Sequence, residues 1–434
     1  MLRPLAISPL LLLAALAAAA RADTLHVPQD FGTIQAAVDA SHSGDTIEVK
    51  SGLYPGDVHI DSLSELTVQA KGKVRIDGTF IVGLSTNIAL NGLQFVANAA
   101  PAVTLGFSNG VTLFKCRFVP APSTLVAEAQ PAGSVLASGG STLTVDRCTF
   151  KGGSSTRLIL GGTGPATNFD ISHCRFDHCG DIGIDLVDAS LGTIGNCSFR
   201  GLSDTAIRGE QADQVTITHA TISDVGKDGI QLAGTTLQVD HTKISGAADK
   251  AIDCNGGSRI FDNVIRNAQA GINFADAGTG SVIAGNSVKN CGLLAIGAVA
   301  DGLVIAGNTL SKDGFAEGGI NGAVIALIGD GDFVSGNTIT SVGGSGFSST
   351  GDALILTGNR VTGAKGDGFE LLGDDNLAFS NVALHSGVSG FVLEGTGEVL
   401  VANEASGSGA FDLIDKNSGQ NTIDPSNDFG KTSP

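Results

Sequence analysis

One spacing governs this chain. From Cys174 to Ala405, eleven segments close on Phe176, Phe199, Ile222, Ile244, Ile265, Val288, Leu310, Ile339, Val361, Ala383 and Ala405. Most steps are 21 to 23 residues, and only that from Leu310 to Ile339, at 29, is long. Two residues before each stand Cys174, Cys197, Ala220 and Thr242, then Asn263, Asn286, Asn308, Asn337, Asn359, Asn381 and Asn403. A fixed period of this size is the mark of a solenoid, in which one unit buries its apolar face against the next.

Each unit holds three short alternating stretches. The first reads Gly-Ile-x-Leu, as in Gly183 to Leu186 and Gly229 to Leu232. The second pairs residues such as Val215 and Ile217, and the third is the Asn-x-Ile above. Apolar residues at period two, broken by Gly, Asp and Asn, describe half-buried strands. Between Ile222 and Ile230 only SDVGKDG intervenes, too short and too Gly-rich for a helix. Three strands per turn stacked in register make an all-β, single-stranded parallel β-helix. The Asn column is then expected inside a bend, as a structural ladder in which each amide bonds backbone and the Asn of the next rung. A leucine-rich repeat has a similar core, but it is richer in Leu and carries a helix in each unit.

Continuing the apolar column back through Phe150, Phe118 and Phe95 gives about 14 rungs, a rod of roughly 67 Å at ~4.8 Å per rung. Residues 1–22 read as a signal peptide: Arg3, an apolar run from Leu10 to Ala20, and the small-x-small site Ala20-Arg21-Ala22. Residues 23–60 read as an N-terminal cap. There Ile34, Ala37 and Val38 predict a short capping helix over about 33–41, with Asp30 or Thr33 as N-cap. The coil is assigned to 61–417, and 418–434 to a C-terminal cap with a frayed polar tail. Loops from Pro120 to Gly140 and from Gly152 to Ala166 interrupt the stack.

The segment VPQDFGTIQAAVDASHSGDTIEVKSGLYPGDVHI resembles the N-terminal cap of pectin methylesterases and their relatives in the pectin-lyase-like superfamily. The remaining repeats resemble those of secreted polysaccharide-active proteins and of NosD-type periplasmic proteins. The resemblance implies a right-handed coil. It brings no catalytic residues: Gly56 stands where methylesterases continue Gly-x-Tyr-x-Glu, and Asp374-Asp375 lacks the companions it has in polygalacturonase-like hydrolases. Fold analogy alone does not transfer chemistry.

A net charge of −18 argues against nucleic acid, and no segment after residue 22 is long and apolar enough for membrane insertion. The mature protein is therefore expected to be secreted or periplasmic. Seven Cys leave at least one thiol unpaired. The stacked Cys116, Cys148, Cys174 and Cys197 suit buried free thiols better than disulfides, and Cys179 is the expected partner for any bridge.

In the first strand of each rung, the outward residues run Asp185, Arg208, Gln231, Asp253, Asn273 and, much later, Glu370. The preceding bend adds Asp181, Asp204, Lys227, Asp228, Asp249 and Lys250. Asp185, Arg208 and Asp253 are the candidate catalytic residues; Lys227, Asp228, Gln231, Lys250 and Asn273 are the candidate substrate-binding ones. Paired carboxylates serve a glycoside hydrolase, and a cation beside a uronate serves a lyase or epimerase. Against this, any exposed strand face is polar and opposite charges one rung apart simply pair. One Tyr and no Trp leave little aromatic surface for sugars.

Two functions therefore stand: binding or processing of an acidic or neutral polysaccharide on that face, or a non-catalytic scaffold, adhesin or NosD-type accessory protein. No metal is assigned. His219 and His241 stack and could take an ion with Asp240 or Asp262, yet repeat register more often yields a solvated ladder. The Gly329–Asp332 turn resembles a calcium loop only loosely. The sequence names no cofactor and fixes no oligomeric state.

Overall fold

The computed structural model describes residues 22–96, 101–119, 134–153, 157–161, 168–274, 280–313 and 323–433. The signal peptide, except for residue 22, lies outside the described residues. So do residues 120–133 of the first loop and 154–156 and 162–166 of the second.

The repeat folds as three strands per turn. The Gly-Ile-x-Leu stretches form one sheet, 16 strands among the described residues, from Val58–Asp61 to Leu413–Asp415. The other two stretches form two faces of a second sheet, 33 strands among the described residues, joined by bends. Pairing is parallel and, apart from a shift between Lys50 and Gly52, in repeat register: Phe176 sits on Phe199, Phe199 on Ile222, and Ile222 on Ile244. Since every turn places the same residue over its equivalent, the core is a set of stacked columns. Phe95, Phe118, Phe150, Phe176 and Phe199 lie face to face, with centroids 4.6 to 5.0 Å apart and planes within 8°.

The column is longer than the sequence indicates. Ile76 pairs with Phe95 and Tyr54 with Ile76 at one end, and Phe429 pairs with Ala405 at the other, giving about 17 turns where 14 were expected. The extra turns escape the pattern because Tyr54 and Ile76 lie in long strands, Thr46–Pro55 and Thr67–Asp77, with Gly52 and Val74 in place of the marker residue. At the far end the polar tail is tied down instead of frayed: Asn403 donates through Nδ2 to Asn427 Oδ1 at 3.0 Å.

The bend before the Asn column uses left-handed backbone. The residue there has φ between 48° and 55° at Lys115, Arg147, His173, Asn196, His219, His241 and Asp262, and Gly fills it at 285, 307, 336 and 358. That conformation costs non-Gly residues energy and is kept where neighbours over-determine it. Where the following residue is Asn, its side chain supplies the restraint. Asn286 Nδ2 bonds Ile260 O at 2.9 Å and Asn308 Oδ1 at 3.0 Å, and the same geometry repeats at Asn263, Asn308, Asn337, Asn359, Asn381 and Asn403. In earlier rungs a thiol reaches the matching carbonyl, as from Cys148 Sγ to Leu113 O at 3.3 Å.

All seven cysteines are free and buried. Cys179, the best candidate for a bridge, is free as well, its thiol turned inward to within 3.8 Å of Phe150 O.

A helix, α1 (Ile34–Asp39), covers the first turn, shorter than the span of 33–41 expected. Thr33, not Asp30, is the N-cap, its Oγ1 accepting from Ala36 N–H at 3.1 Å. Gln35 closes the open edge of the 16-stranded sheet: its amide accepts from His59 N–H at 2.7 Å and donates to His59 O at 3.2 Å. An amide that satisfies both groups of an edge residue removes a template for aggregation. Replacing Thr33 by Ala is expected to cost about 1 kcal/mol, read as a lowered urea midpoint with the far rungs unaffected in hydrogen exchange.

Candidate functional site

In the 16-stranded sheet the residue between the two inward positions points out, and register stacks these residues. Asp185 pairs with Arg208, Arg208 with Gln231, Gln231 with Asp253, and Asp253 with Asn273. The strip is bounded by Ile159 on one side and Gly297 on the other. It contains a cleft of about 210 Å³ lined by Arg208, Glu210, Gln231, Asp253 and Asn255, with Gly209, Leu232 and Ala233 as its floor.

Within the strip most charges are matched. Asp185, 7% exposed, is clasped by Arg208 through two bonds, Nε to Oδ1 at 3.1 Å and the terminal nitrogen to Oδ2 at 2.6 Å. The Asp185 carboxylate in turn holds the guanidinium pKa above its ordinary value. Asp253 accepts from Asn273 Nδ2 at 2.7 Å and lies 3.3 Å from Lys250 Nζ. Lys227 pairs with Asp204 at 2.7 Å.

Asp228, expected to contact substrate, is 4% exposed and points inward, where Oδ1 accepts from Lys250 N–H at 2.9 Å. Burial pushes its carboxyl pKa up. Asp228 is thus a brace for the bend. The structure brings Asp185, Arg208, Gln231, Asp253 and Asn273 into one row, with Lys250 at its edge and Lys227 turned to Asp204.

Farther along the sheet, Glu370 accepts from the Ser345 hydroxyl at 2.6 Å. Its pKa is raised, first by burial and further by the neighbouring Asp367, against the lowering effect of the Ser345 and Ser348 hydroxyls. A raised carboxyl pKa suits a proton donor, but Glu370 lies rungs away from the cleft.

At the turn from Gly329 to Asp332 the carboxylates bond backbone of neighbouring rungs. Asp330 Oδ1 accepts from Asp352 N–H, as Asp352 Oδ1 does from Asp374 N–H, at 2.8 and 2.7 Å. Asp332 is buried and accepts from Leu303 N–H at 2.8 Å. These oxygens tie successive bends together.

A larger hollow, about 540 Å³, was not foreseen. It lies beside the cap and is lined by Pro28, Thr33, Gln35, Leu53, Tyr54 and Asp57 among others. Its walls come from either side of α1, so no periodic signal announces it; the lone Tyr, with its hydroxyl bonded to Lys50 O at 2.8 Å, was the one hint.

A family model described as "Right handed beta helix region" matches residues 126–263 and 251–405. No curated protein matches the sequence. Among solved structures, the A-module of a mannuronan C-5 epimerase from Azotobacter vinelandii is similar at 12% identity over 94% of this chain and 99% of its own, with TM-score 0.44. A mannuronic acid-specific family 6 lyase from human gut microbiota aligns at 12% identity over 92% of each chain, TM-score 0.44. A family 28 exopolygalacturonase from Yersinia enterocolitica aligns at 10% identity over 78% of this chain and 76% of its own, TM-score 0.41.

Proposed function

Because the chain belongs to the right-handed β-helix family, we propose that its regular coil is a binding rod: an exported protein that holds a polysaccharide along the outward row of the 16-stranded sheet. The observation that carries this reading is the polar cleft between Arg208, Glu210, Gln231 and Asp253. Its hydrogen-bonding groups recur at the rung spacing of ~4.8 Å, which suits a chain of repeated hydroxyl-bearing units. Export rests on the character of residues 1–22. Among the described residues no helix is long and apolar enough to cross a membrane.

Binding is favoured over processing because both candidate catalytic carboxylates are occupied. Asp185 is covered by Arg208, and Asp253 is held between Lys250 and Asn273. A carboxylate whose oxygens are already engaged by neighbouring side chains is poorly placed to exchange a proton with a substrate. The row as it stands offers oriented donors and acceptors, with Glu210 and Gln231 on the open side.

The test is a binding assay over a panel of neutral and acidic polysaccharides, with the full chain and with Glu210→Ala and Gln231→Ala. Each substitution is expected to weaken binding about 5- to 10-fold, as loss of one hydrogen bond does, and to leave the thermal midpoint in place. A panel from which no glycan binds would overturn the reading in favour of a scaffold without a sugar ligand.

A further inference from the structure

The left-handed bend carries its side chain outward, and in two consecutive rungs that side chain is an imidazole. His219 and His241 have φ of 54° and 48°. Their rings are exposed and stack, with centroids 4.9 Å apart and planes within 3°. The residue just before His241 differs from both. Asp240 is only 5% exposed.

Neighbours fix that carboxylate. Gln238 donates to Oδ2 at 2.7 Å. Oδ1 accepts the Thr218 hydroxyl and lies 2.8 Å from His241 Nδ1. The Thr218 oxygen is also 2.8 Å from His219 Nδ1, so one hydroxyl links the first ring to the carboxylate. Burial pushes the Asp240 carboxyl pKa up, but the bonds from Thr218, Gln238 and His241 outweigh it and hold the group below its ordinary value. One ligand atom from each of His219, Asp240 and His241 lies within 4.8 Å of the other two. On the next rung Asp262 brings Oδ2 to 3.9 Å from His241 Nε2.

We propose that His219, His241 and Asp240 form a binding site for one transition-metal dication of the zinc class. Two imidazoles and a carboxylate are a borderline donor set, whereas calcium and magnesium take oxygen ligands almost throughout. Three protein ligands leave a coordination position open to solvent, as the exposed rings require. Bonds of ~2.1 Å bring donor atoms to within about 3.4 Å of each other. The rings must therefore swing together by roughly 1.5 Å, a rotation that exposed side chains have room to make. Asp240 need not move far, because Gln238 grips the oxygen turned away from the rings. A ladder of His kept only by repeat register would not need a buried, doubly anchored carboxylate beside it. The net charge of −18 further raises the local concentration of cations. The site is separate from the sugar-binding row and its test does not depend on that reading.

Titration of the full chain with Zn²⁺ alone, by calorimetry or equilibrium dialysis, is expected to show saturable binding of one ion, while Ca²⁺ shows none at this site. His219→Ala and His241→Ala should each weaken binding about 100-fold, and Gln238→Ala, which frees the carboxylate, about 10-fold. With Co²⁺ as probe, the visible absorption of the bound ion should vanish in the same His variants. The metal-free thermal midpoint of His219→Ala should match the parent's, since its ring is exposed and meets the carboxylate only through the Thr218 hydroxyl; a ladder with only a structural role would lower that midpoint instead. Absence of saturable Zn²⁺ binding, or binding that persists in the His219→Ala/His241→Ala double variant, overturns the proposal.

Discussion

Asn308→Ala is expected to lower the stability of the coil by about 3–5 kcal/mol, the cost of stranding buried donors. Asn308 is fully buried. Its Oδ1 accepts from Asn286 N–H at 2.9 Å and from Asn286 Nδ2 at 3.0 Å, and its own Nδ2 donates to Ile283 O and to Asn337 Oδ1, each at 2.9 Å. Alanine removes all of these at once. Asn286 N–H and Nδ2 then lose an acceptor, and Ile283 O and Asn337 Oδ1 lose a donor, all inside the coil. The earlier rungs supply a graded control. Where the column holds Cys, the thiol does part of the same work: Cys148 Sγ accepts from Cys116 N–H and donates to Leu113 O, both at 3.3 Å. Asn308→Cys is therefore expected to retain roughly half of the lost stability, since sulfur is the weaker partner. Each rung of a solenoid contacts only its neighbours, so the damage should also be local. Hydrogen exchange should quicken in the rungs from Ile283 to Ile339 before the Phe-stacked half responds. If urea unfolding places the alanine, cysteine and parent proteins within about 0.5 kcal/mol of one another, less than one hydrogen bond, the ladder is not what holds the bends.

How much of this was legible in the sequence follows from what repeats. Inward positions recur, so the Asn and Phe columns, the parallel register and the order Asp185, Arg208, Gln231, Asp253, Asn273 could all be read from the 22-residue spacing. The first turns could not: Tyr54 and Ile76 keep the register but lack the marker two residues earlier. Nor could the last turn, where Asn427 looks like any residue of a polar tail until Asn403 is seen to bond it. At the site, spacing assigns each charge to a rung but not to a direction. Asp204 and Asp228 both read as outward residues of the bend, yet Asp228 stands one position later in its turn, in register with the buried Thr205, and turns inward onto Lys250 N–H while Asp204, in register with Lys227, turns to it. Likewise, the spacing of His219 and His241 predicts that they stack, but the burial of Asp240 depends on Gln238 and Thr218, one in its own strand and one in the rung before.

Buried carboxylates give the second large effect, in which the coil loses stability as the pH rises from 4 to 8. Asp313, Asp332 and Glu398 are at most 1% exposed. Burial is the main cause that pushes their pKa values up, to about 7, about 6 and about 7. Asp301 and Asp330 add to the rise at Asp332, and Asp374 and Asp375 to that at Glu398. Asp313 Oδ2 and Glu398 Oε2 have no hydrogen-bond partner among the described residues. The sign follows from proton binding. Below the unfolded values, near 4, each group is protonated in both states and contributes nothing to the pH dependence. Between pH 4 and 7 the unfolded chain releases its proton while the folded one keeps it, so unfolding gains with every step up in pH. Above about 7 the folded group ionises as well and the loss levels off. For Glu398, a rise from 4.5 to about 7 corresponds to a loss on the order of 3 kcal/mol. Glu398→Gln isolates this contribution. It retains an oxygen for Asn376 Nδ2, which donates to Oε1 at 3.0 Å, and cannot ionise. The variant should match the parent at pH 4 and exceed it by about 2–3 kcal/mol at pH 8 in urea unfolding. Repulsion among the surface carboxylates also grows with pH, but it acts on both proteins and cancels in the difference. Two stability curves that stay parallel from pH 4 to 8 would mean that Glu398 ionises inside the coil without penalty, and that water or a cation reaches it there.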